Sequence, residues 1–293
     1  MERFVMRLVI IGYGYSSTAI VGELSGNFEH LHITARSVEK VARLRQAGLA
    51  AHAFDGREIL PALANALSNA THLLISAPPG EAGDPLLAAP GFAALAMPAL
   101  RRIAYLSTVG VYGDHGGAWV DETSPLHPVS ARSRQRVAAE QSWQAFAAAR
   151  TLDLGIFRLS GIYGPGRSAI DNLRAGTARR IIKQGQVFNR IHVGDIGGAV
   201  ALALTHGGSL GVFNLTDNEP CPPQDVVAHA AGLLGVPPPP EVPFEEADLS
   251  PMGRSFYGEN KRVSNAKIKA ELGYRFRYPT YRAGLAACLK AAP

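Results

Sequence analysis

The chain of 293 residues is 47% hydrophobic and 18% charged, a composition that excludes a disordered chain and allows one large or two modest globular domains. Its formal charge is +5, but the 29 Lys and Arg residues are scattered and form no basic run, which argues against a nucleic-acid partner. The positive excess either favours small anionic ligands or has no functional meaning.

No apolar stretch is long enough to span a membrane, and Met1-Glu2-Arg3 leads into the first predicted strand without a signal-peptide pattern. The two cysteines, Cys221 and Cys288, lack the spacing of a metal site or a redox motif. We therefore expect a cytoplasmic protein with free thiols, no membrane contact and no metal site.

Residues 7–24 form the first predicted unit of structure. An apolar run, Leu8-Val9-Ile10-Ile11, predicts a strand buried on both faces, and the residues from Thr18 onward predict a helix. The glycine-rich turn between them directs backbone N–H groups and a helix N-terminus at one point, which suits the pyrophosphate of a dinucleotide. The turn residues assigned to this phosphate site are Gly12, Gly14, Tyr15, Ser16 and Ser17. The alternative is a tight turn without a ligand, since a bare Gly-x-Gly is common.

The next predicted strand, at residues 30–37, ends in Arg36 and Ser37. Sites for NAD place a carboxylate at the end of this strand to bind the ribose 2′-hydroxyl, whereas sites for NADP use an arginine to accept the 2′-phosphate. Arg36 with Ser37 therefore predicts NADP(H), with NAD(H) less favoured. The alternative is that Arg36 is a solvated charge at a strand end.

Strands and helices then alternate in the manner of a doubly wound α/β protein. The pattern predicts strands at residues 51–55 and 71–76, and helices at residues 38–47, 59–68 and 92–100. Because parallel strands end at one edge of a sheet, Asp55, Ala77 and Pro78 are expected to line the cofactor cleft. Asp55 would accept a hydrogen bond from the adenine amino group, or else cap a helix.

The segment YLSTVGVYGD (105–114) ends a fifth predicted strand with Ser-Thr, which places hydroxyl groups at the mouth of that cleft. It resembles the Ser/Thr strand of the extended short-chain dehydrogenase/reductase family, which contains NAD(P)-dependent sugar epimerases and dehydratases. Further segments match the family in order: the glycine turn, FRLSGIYGPGR (157–167), RIHVGDIGGAV (190–200), GVFNLTD (211–217) and ELGYRFRYPTYRAGL (271–285).

The resemblance covers almost the whole chain and implies a Rossmann doubly wound parallel sheet with a smaller C-terminal α/β substrate lobe. It places the NADP-binding Rossmann domain at residues 1–165 plus 190–217. The small substrate-binding lobe is then formed by residues 166–189 plus 218–293. A homodimer through two helices is expected by analogy with the family alone.

The family's chemistry depends on a Ser/Thr, which Thr108 matches, and on a Tyr-x-x-x-Lys helix. Aligning the family's trailing glutamate with Glu140 puts Arg132 at the tyrosine position and Arg136 at the lysine position. Residues 113–162 contain no tyrosine, and an arginine cannot release its proton near neutral pH. The usual proton relay is therefore absent, as in a bacterial branch of atypical members that shares this replacement.

The two arginines have alternative interpretations. From one helix face, Arg136 would donate to the ribose hydroxyls of the cofactor, while the planar fork of Arg132 would clamp a substrate anion or polarise a carbonyl. Otherwise both are solvated helix charges, like Arg134 on a different face.

Other positions depart from the nucleotide-sugar enzymes of the family. Gly161 and Phe188 stand where those enzymes carry an Asn and an Arg that bind their substrate, which argues against a nucleotide-sugar substrate. His192 and Asp195 resemble a metal pair, but we expect Asp195 to cap the following helix and His192 to be packed or hydrogen-bonded.

The leading hypothesis is an NADP(H)-dependent oxidoreductase that acts on an unidentified small, anionic carbonyl or alcohol substrate. Thr108 would hold the substrate oxygen, and Arg132 would replace the missing tyrosine electrostatically. One alternative is a catalytically inactive NADP(H)-binding redox sensor or scaffold. A second alternative is an epimerase or dehydratase that retains its bound cofactor.

Overall fold

The computed structural model describes residues 6–291, so the predicted start at Met1-Glu2-Arg3 lies outside the described residues. The strands in this range are β1 (Arg7–Ile11), β2 (His30–Ala35), β3 (Ala50–Ala53), β4 (His72–Ile75), β5 (Arg102–Thr108), β6 (Trp119–Val120), β7 (Asp153–Leu159), β8 (Gly161–Tyr163), β9 (Arg180–Ile182), β10 (Arg190–His192), β11 (Val212–Leu215), β12 (Glu241–Pro243) and β13 (Arg262–Val263). The helices are α1 (Tyr15–Glu23), α2 (Val38–Gln46), α3 (Pro61–Asn69), α4 (Ala131–Ala149), α5 (Ala169–Arg174), α6 (Val193–Thr205), α7 (Pro223–Leu234), α8 (Pro251–Phe256), α9 (Ala266–Glu271) and α10 (Tyr281–Ala291).

A seven-stranded sheet runs through the described chain in the order β11-β7-β5-β4-β1-β2-β3. Parallel pairing joins β1 to β2 and β4, β2 to β3, and β4 to β5. From β1, the chain adds β2 and β3 on one side. It then returns to the other side of β1 and adds β4, β5, β7 and β11. Open α/β sheets bind ligands at this change of direction, at the carboxyl ends of the strands. The predicted doubly wound α/β fold is confirmed.

Apolar residues explain which strands are central. β1 and β4 are almost entirely buried, as expected for parallel strands covered by helices on both faces. On one face, α4 places Trp143 against Phe92 and Tyr105, with ring centroids 6.4 Å apart in each pair. These aromatic side chains fix the distance between α4 and β5.

The helix predicted at residues 92–100 is wrong. This segment forms turns around the buried side chains of Phe92 and Leu100. Gly91, with φ +84°, precedes the segment, and Pro98 would remove a hydrogen bond from the last helical turn. The alanine-rich composition suggested a helix, but Pro98 interrupts it.

The chain divides into two compact units. Among the described residues, unit 1 contains residues 6–108, 131–158 and 197–213, and unit 2 contains residues 109–130, 159–196 and 214–291. The sequence-based boundaries kept residues 109–130, 159–165, 190–196 and 214–217 with the sheet. The structure groups them with unit 2 because they form small parallel pairs there, β8 with β10 and β6 with β13.

Unit 2 has its own hydrophobic core, in which α10 contributes Tyr281, Leu285 and Cys288 against Tyr163 of β8. Helix α7 ends at Gly235 in the left-handed conformation (φ +67°) that suits a helix C-terminus. Both cysteines, at positions 221 and 288, are buried and unpaired with each other.

Candidate functional site

The glycine turn after β1 requires glycine at its first position. Gly12 has φ +90°, and its N–H donates to the Thr34 hydroxyl over 2.8 Å. A Cβ at this position would lie 2.7 Å from the backbone nitrogen of Ala77, a separation that real Cβ atoms essentially never show. Gly12 therefore allows the chain to turn close to the residue that follows β4.

The N-terminus of α1 opens directly beyond this turn. Gly14 is extended at the N-cap, and within residues 6–291 no side chain caps the helix or places an acid in its first turn. A Cβ on Gly14 would meet no atom within 4 Å, so the space in front of the turn is open. Backbone N–H groups in a first helical turn, a positive helix end and free space are the features that a pyrophosphate requires. The residues present therefore fit a dinucleotide.

Ser17 stands at the third position of the glycine pattern and explains how a larger residue is tolerated there. Its side chain is fully buried, and its hydroxyl donates to the Gly12 carbonyl over 3.0 Å. The serine thus ties α1 back to the turn. Its neighbours Tyr15 and Ser16 lie in the first helical turn, half-buried and buried respectively.

Arg36 is exposed at the carboxyl end of β2, beside the turn. The Ser37 hydroxyl accepts from the Lys40 N–H over 3.2 Å and so caps α2, although it keeps a proton to donate. Lys40, which the sequence analysis did not select, donates from Nζ to the Tyr13 carbonyl over 2.5 Å. Two cations, Arg36 and Lys40, therefore flank the same end of β2.

The other predicted cleft residues follow β3 and β4. Asp55 is exposed, and its Oδ1 accepts from the Arg57 N–H over 3.0 Å, which closes a local turn. Ala77 donates from its N–H to the Ile11 carbonyl over 2.9 Å and packs beside Gly12, and Pro78 follows it at the surface. These residues lie at the carboxyl edge of the sheet, as the sequence analysis expected.

At the end of β5 the two hydroxyl residues have different environments. Thr108 is half-buried at the strand end, whereas the Ser107 hydroxyl is buried and donates to the Glu140 carboxylate of α4. Arg158 forms an ion pair with the same carboxylate, with Nη2 and Oε2 2.8 Å apart. Glu140 and Arg158 are therefore structural, and they attach α4 to β5 and β7.

Arg136 is bound to the strand rather than extended into solvent. Its Nη1 donates to the Tyr105 hydroxyl over 2.9 Å and to the Leu106 carbonyl over 2.8 Å, and its guanidinium carbon lies 5.4 Å from the Tyr105 ring centroid. Burial raises the pKa of Tyr105 to about 12, and the charge of Arg136 opposes this shift. The tyrosine is therefore a neutral anchor for the guanidinium.

Asp84 supplies a buried carboxyl group near this cation. Burial raises the pKa of Asp84, while hydrogen bonds from the Leu86 and Leu87 N–H groups and the charge of Arg136 lower it. Sequence periodicity gave no signal for Asp84 or Tyr105, because both meet Arg136 only in the folded chain.

Arg132 lies one turn before Arg136, in the first turn of α4, and its side chain is exposed. This turn contains no acidic residue, so its cations stand at the positive end of a helix dipole. The structure thus brings Thr108, Arg132 and Arg136 onto β5 and the helix packed against it.

The predicted N-cap role of Asp195 is wrong. Helix α6 begins at Val193, and the buried Asp195 carboxylate accepts from the Tyr274 hydroxyl over 2.9 Å and from two backbone N–H groups. His192 is packed and hydrogen-bonded as expected, with Nδ1 accepting from the Gly194 N–H over 3.1 Å. Among residues 6–291 no cluster of three or more His, Cys, Asp or Glu residues is arranged to hold a metal ion. No helix in that range is long and apolar enough to cross a membrane.

Comparisons with known proteins agree with this geometry. The model of the NAD dependent epimerase/dehydratase family matches residues 92–216. A solved structure of a functionally unknown conserved protein from Silicibacter pomeroyi DSS is 46% identical, with a TM-score of 0.84 over 97% of this chain and 98% of that one.

Two curated proteins are also similar over part of the chain. Protein YeeZ of Escherichia coli (strain K12) is 31% identical over 183 residues, which are 61% of this chain and 60% of that protein. A 3-diazoavenalumate denitrifying reductase from a Streptomyces species is 27% identical over 201 residues, 63% of this chain and 64% of the reductase. The matched segments thus span less than two thirds of either curated relative.

Proposed function

Because this chain belongs to the NAD-dependent epimerase/dehydratase family, we propose that it binds a nicotinamide dinucleotide and acts as an oxidoreductase on a small anionic carbonyl or alcohol. The observation that carries the proposal is the uncapped N-terminus of α1 behind the Gly12 turn, at the point where the strand order reverses. The similar reductase from Streptomyces favours reduction over a bond rearrangement.

The pyrophosphate is assigned to the glycine turn. Backbone N–H groups at the start of α1 would donate to its oxygens, and Gly12 and Gly14 would let the backbone approach without a Cβ. Tyr15, Ser16 and Ser17 complete the first helical turn around it. Ala77 and Pro78 would line the opposite side, and Asp55 would accept from the adenine amino group.

NADP(H) is proposed as the preferred form, with NAD(H) second. Arg36, the first residue after β2, is exposed and able to bind a 2′-phosphate with two parallel hydrogen bonds. Ser37 provides a hydroxyl next to Arg36, and Lys40 provides a second cation at the same end of β2. A carboxylate for the ribose 2′-hydroxyl is missing from this position of β2, which disfavours NAD(H).

The reacting groups are assigned to β5 and α4. When bound, the cofactor supplies hydride exchange with a substrate carbon. Thr108 would hold the substrate oxygen by a hydrogen bond, and Arg132 would stabilise developing negative charge on that oxygen as a fixed cation. Since the pKa of arginine exceeds about 12, the proton would come from solvent. Arg136, held by Tyr105, would donate to the cofactor ribose from its remaining N–H groups.

A second candidate is a redox sensor that binds NADP(H) without turnover. The arginine at the tyrosine position favours it, because the residue that normally moves a proton in this family is absent. An epimerase or dehydratase that retains its cofactor is the third candidate. Steady consumption of NADPH distinguishes the oxidoreductase from both.

A panel of carboxylate-bearing aldehydes and ketones tests the proposal, with NADPH loss followed by absorbance. We expect Arg132→Ala to lower turnover or raise KM while the Kd for NADPH stays near that of the wild type. Arg134→Ala is the matched control, because it removes the same charge from another face of α4. Equal kinetics for Arg132→Ala and the wild type would refute the role of Arg132. Tight NADPH binding without turnover on the whole panel would favour the sensor.

A further inference from the structure

Unit 2 carries an open surface cavity of about 420 Å³ that no part of the proposed oxidoreductase site uses. It lies where α9 ends and the chain reverses at Gly273, which has φ +64°. Its walls are formed by Asn218, Lys269, residues 273–276 and Pro279. A Cβ on Gly273 would meet no atom within 4 Å, so the turn leaves this space open.

Two cations, Lys269 and Arg275, line the cavity, and among the described residues none of its walls is an Asp or Glu. The Lys269 ammonium donates to the neutral Asn218 Oδ1 over 2.7 Å, and it lies 5.6 Å from the Phe276 ring centroid. Partial desolvation lowers the pKa of Lys269, and a bound anion would stabilise its charged form. The nearby carboxylate, Glu271, pairs with Lys267 at 3.9 Å instead.

Asn218 is held in a defined orientation. Its N–H donates to the Pro279 carbonyl over 2.8 Å, and its Oδ1 also accepts from Asn265 Nδ2 over 2.9 Å. Both contacts are within unit 2. With Oδ1 occupied by two donors, the other hydrogen-bonding group of the Asn218 side chain is its amide nitrogen, which is a donor.

We propose that this cavity binds the phosphate group of a small phosphate monoester. Lys269, Arg275 and the Asn218 amide supply an ammonium, a planar guanidinium and an amide, which together match the several acceptor oxygens of a phosphate. The cavity is larger than a phosphate ion, and the Phe276 ring provides an apolar wall for the organic part of the ligand. The cavity thus binds an anion independently of the Gly12 turn.

Isothermal titration with inorganic phosphate, AMP and adenosine tests the proposal, in the Gly12→Ala variant so that the proposed phosphate site at the glycine turn does not contribute. We expect phosphate and AMP to bind at one site and adenosine to give no heat. Lys269→Ala and Arg275→Ala should each weaken AMP binding about tenfold, as expected for loss of a charge-assisted hydrogen bond. Both side chains are exposed, so the variants should fold, which the far-UV circular dichroism spectrum verifies.

Lys290→Ala is the matched control, because it removes an exposed lysine from α10 of the same unit and should leave binding unchanged. AMP binding that survives both Lys269→Ala and Arg275→Ala would overturn the proposal. Binding of adenosine as tight as that of AMP would also overturn it. Neither result affects the cofactor assignment, since that site belongs to unit 1.

Discussion

Replacement of Arg136 by alanine tests whether this guanidinium is anchored in unit 1. The change removes hydrogen bonds to the Tyr105 hydroxyl at 2.9 Å and the Leu106 carbonyl at 2.8 Å, together with the ring contact at 5.4 Å. A hydrogen bond to a charged group contributes about 1.5–3 kcal/mol, and a cation over an aromatic ring about 1 kcal/mol. Because Arg136 is only half-buried, we take the lower values and expect a loss of about 3–4 kcal/mol.

Urea unfolding followed by fluorescence measures this loss. In a Trp119→Phe background, Trp143 is the remaining tryptophan, and it is fully buried with its ring 6.4 Å from that of Tyr105. Arg136→Lys should recover part of the loss, because a lysine retains the charge but not the planar fork. Arg134→Ala, on the exposed face, is the control. A change within about 0.5 kcal/mol for Arg136→Ala is typical of a solvated surface charge and would refute the anchoring.

Three further changes concern the turn, the buried ion pair and a buried acid. Gly12→Ala should lower the free energy of unfolding by more than about 2 kcal/mol and abolish NADPH binding, because it adds a clash to a residue with positive φ. Gly26→Ala is the control, since Gly26 has a similar φ of +84° but open space around it, and it should cost only about 1–2 kcal/mol. Urea melts measure the stability of both variants, and NADPH titration measures their binding. Glu140→Gln should cost about 3–5 kcal/mol in the same melts, since it leaves Arg158 buried without a counter-charge, and an unchanged midpoint would contradict the pairing. Burial raises the pKa of Asp217 to about 7, so its contribution to stability is complete below about pH 4 and is lost as the pH rises through about 7. Asp217→Asn should therefore be more stable than the wild type at about pH 8. Its free energy of unfolding should also change less than that of the wild type between about pH 4 and pH 7.

The local chemistry of the glycine turn could be predicted from the sequence. An apolar strand, a glycine that must adopt positive φ and an apolar helix are adjacent in the chain, so residues 7–24 contain the whole motif. The position of Arg36 followed from the same adjacency, because it is the first residue after the second strand. The contacts of Lys40 with the turn and of Asp84 with α4 join distant segments, and no periodicity encodes them.

Long-range pairing also explains the unit boundaries. The family resemblance placed residues 109–130 with the Rossmann domain. In the structure, Trp119 and Val120 pair instead with Arg262 and Val263, which lie more than a hundred residues later. The prediction of a helix at residues 92–100 was wrong for a local reason. Alanine and leucine favour a helix, but Pro98 interrupts it.

The central claim is that the Gly12 turn and Arg36 hold NADP(H), and titration of the purified protein with NADPH and NADH tests it most directly. Fluorescence of the bound nucleotide gives both Kd values for the wild type, for Arg36→Ala and for Arg43→Ala, an exposed arginine of α2 that serves as the control. We expect NADPH to bind more tightly than NADH, and Arg36→Ala to weaken NADPH about tenfold to a hundredfold while leaving NADH and the control unchanged. Failure of both nucleotides to bind, or equal NADPH affinity in the wild type and Arg36→Ala, would contradict the account.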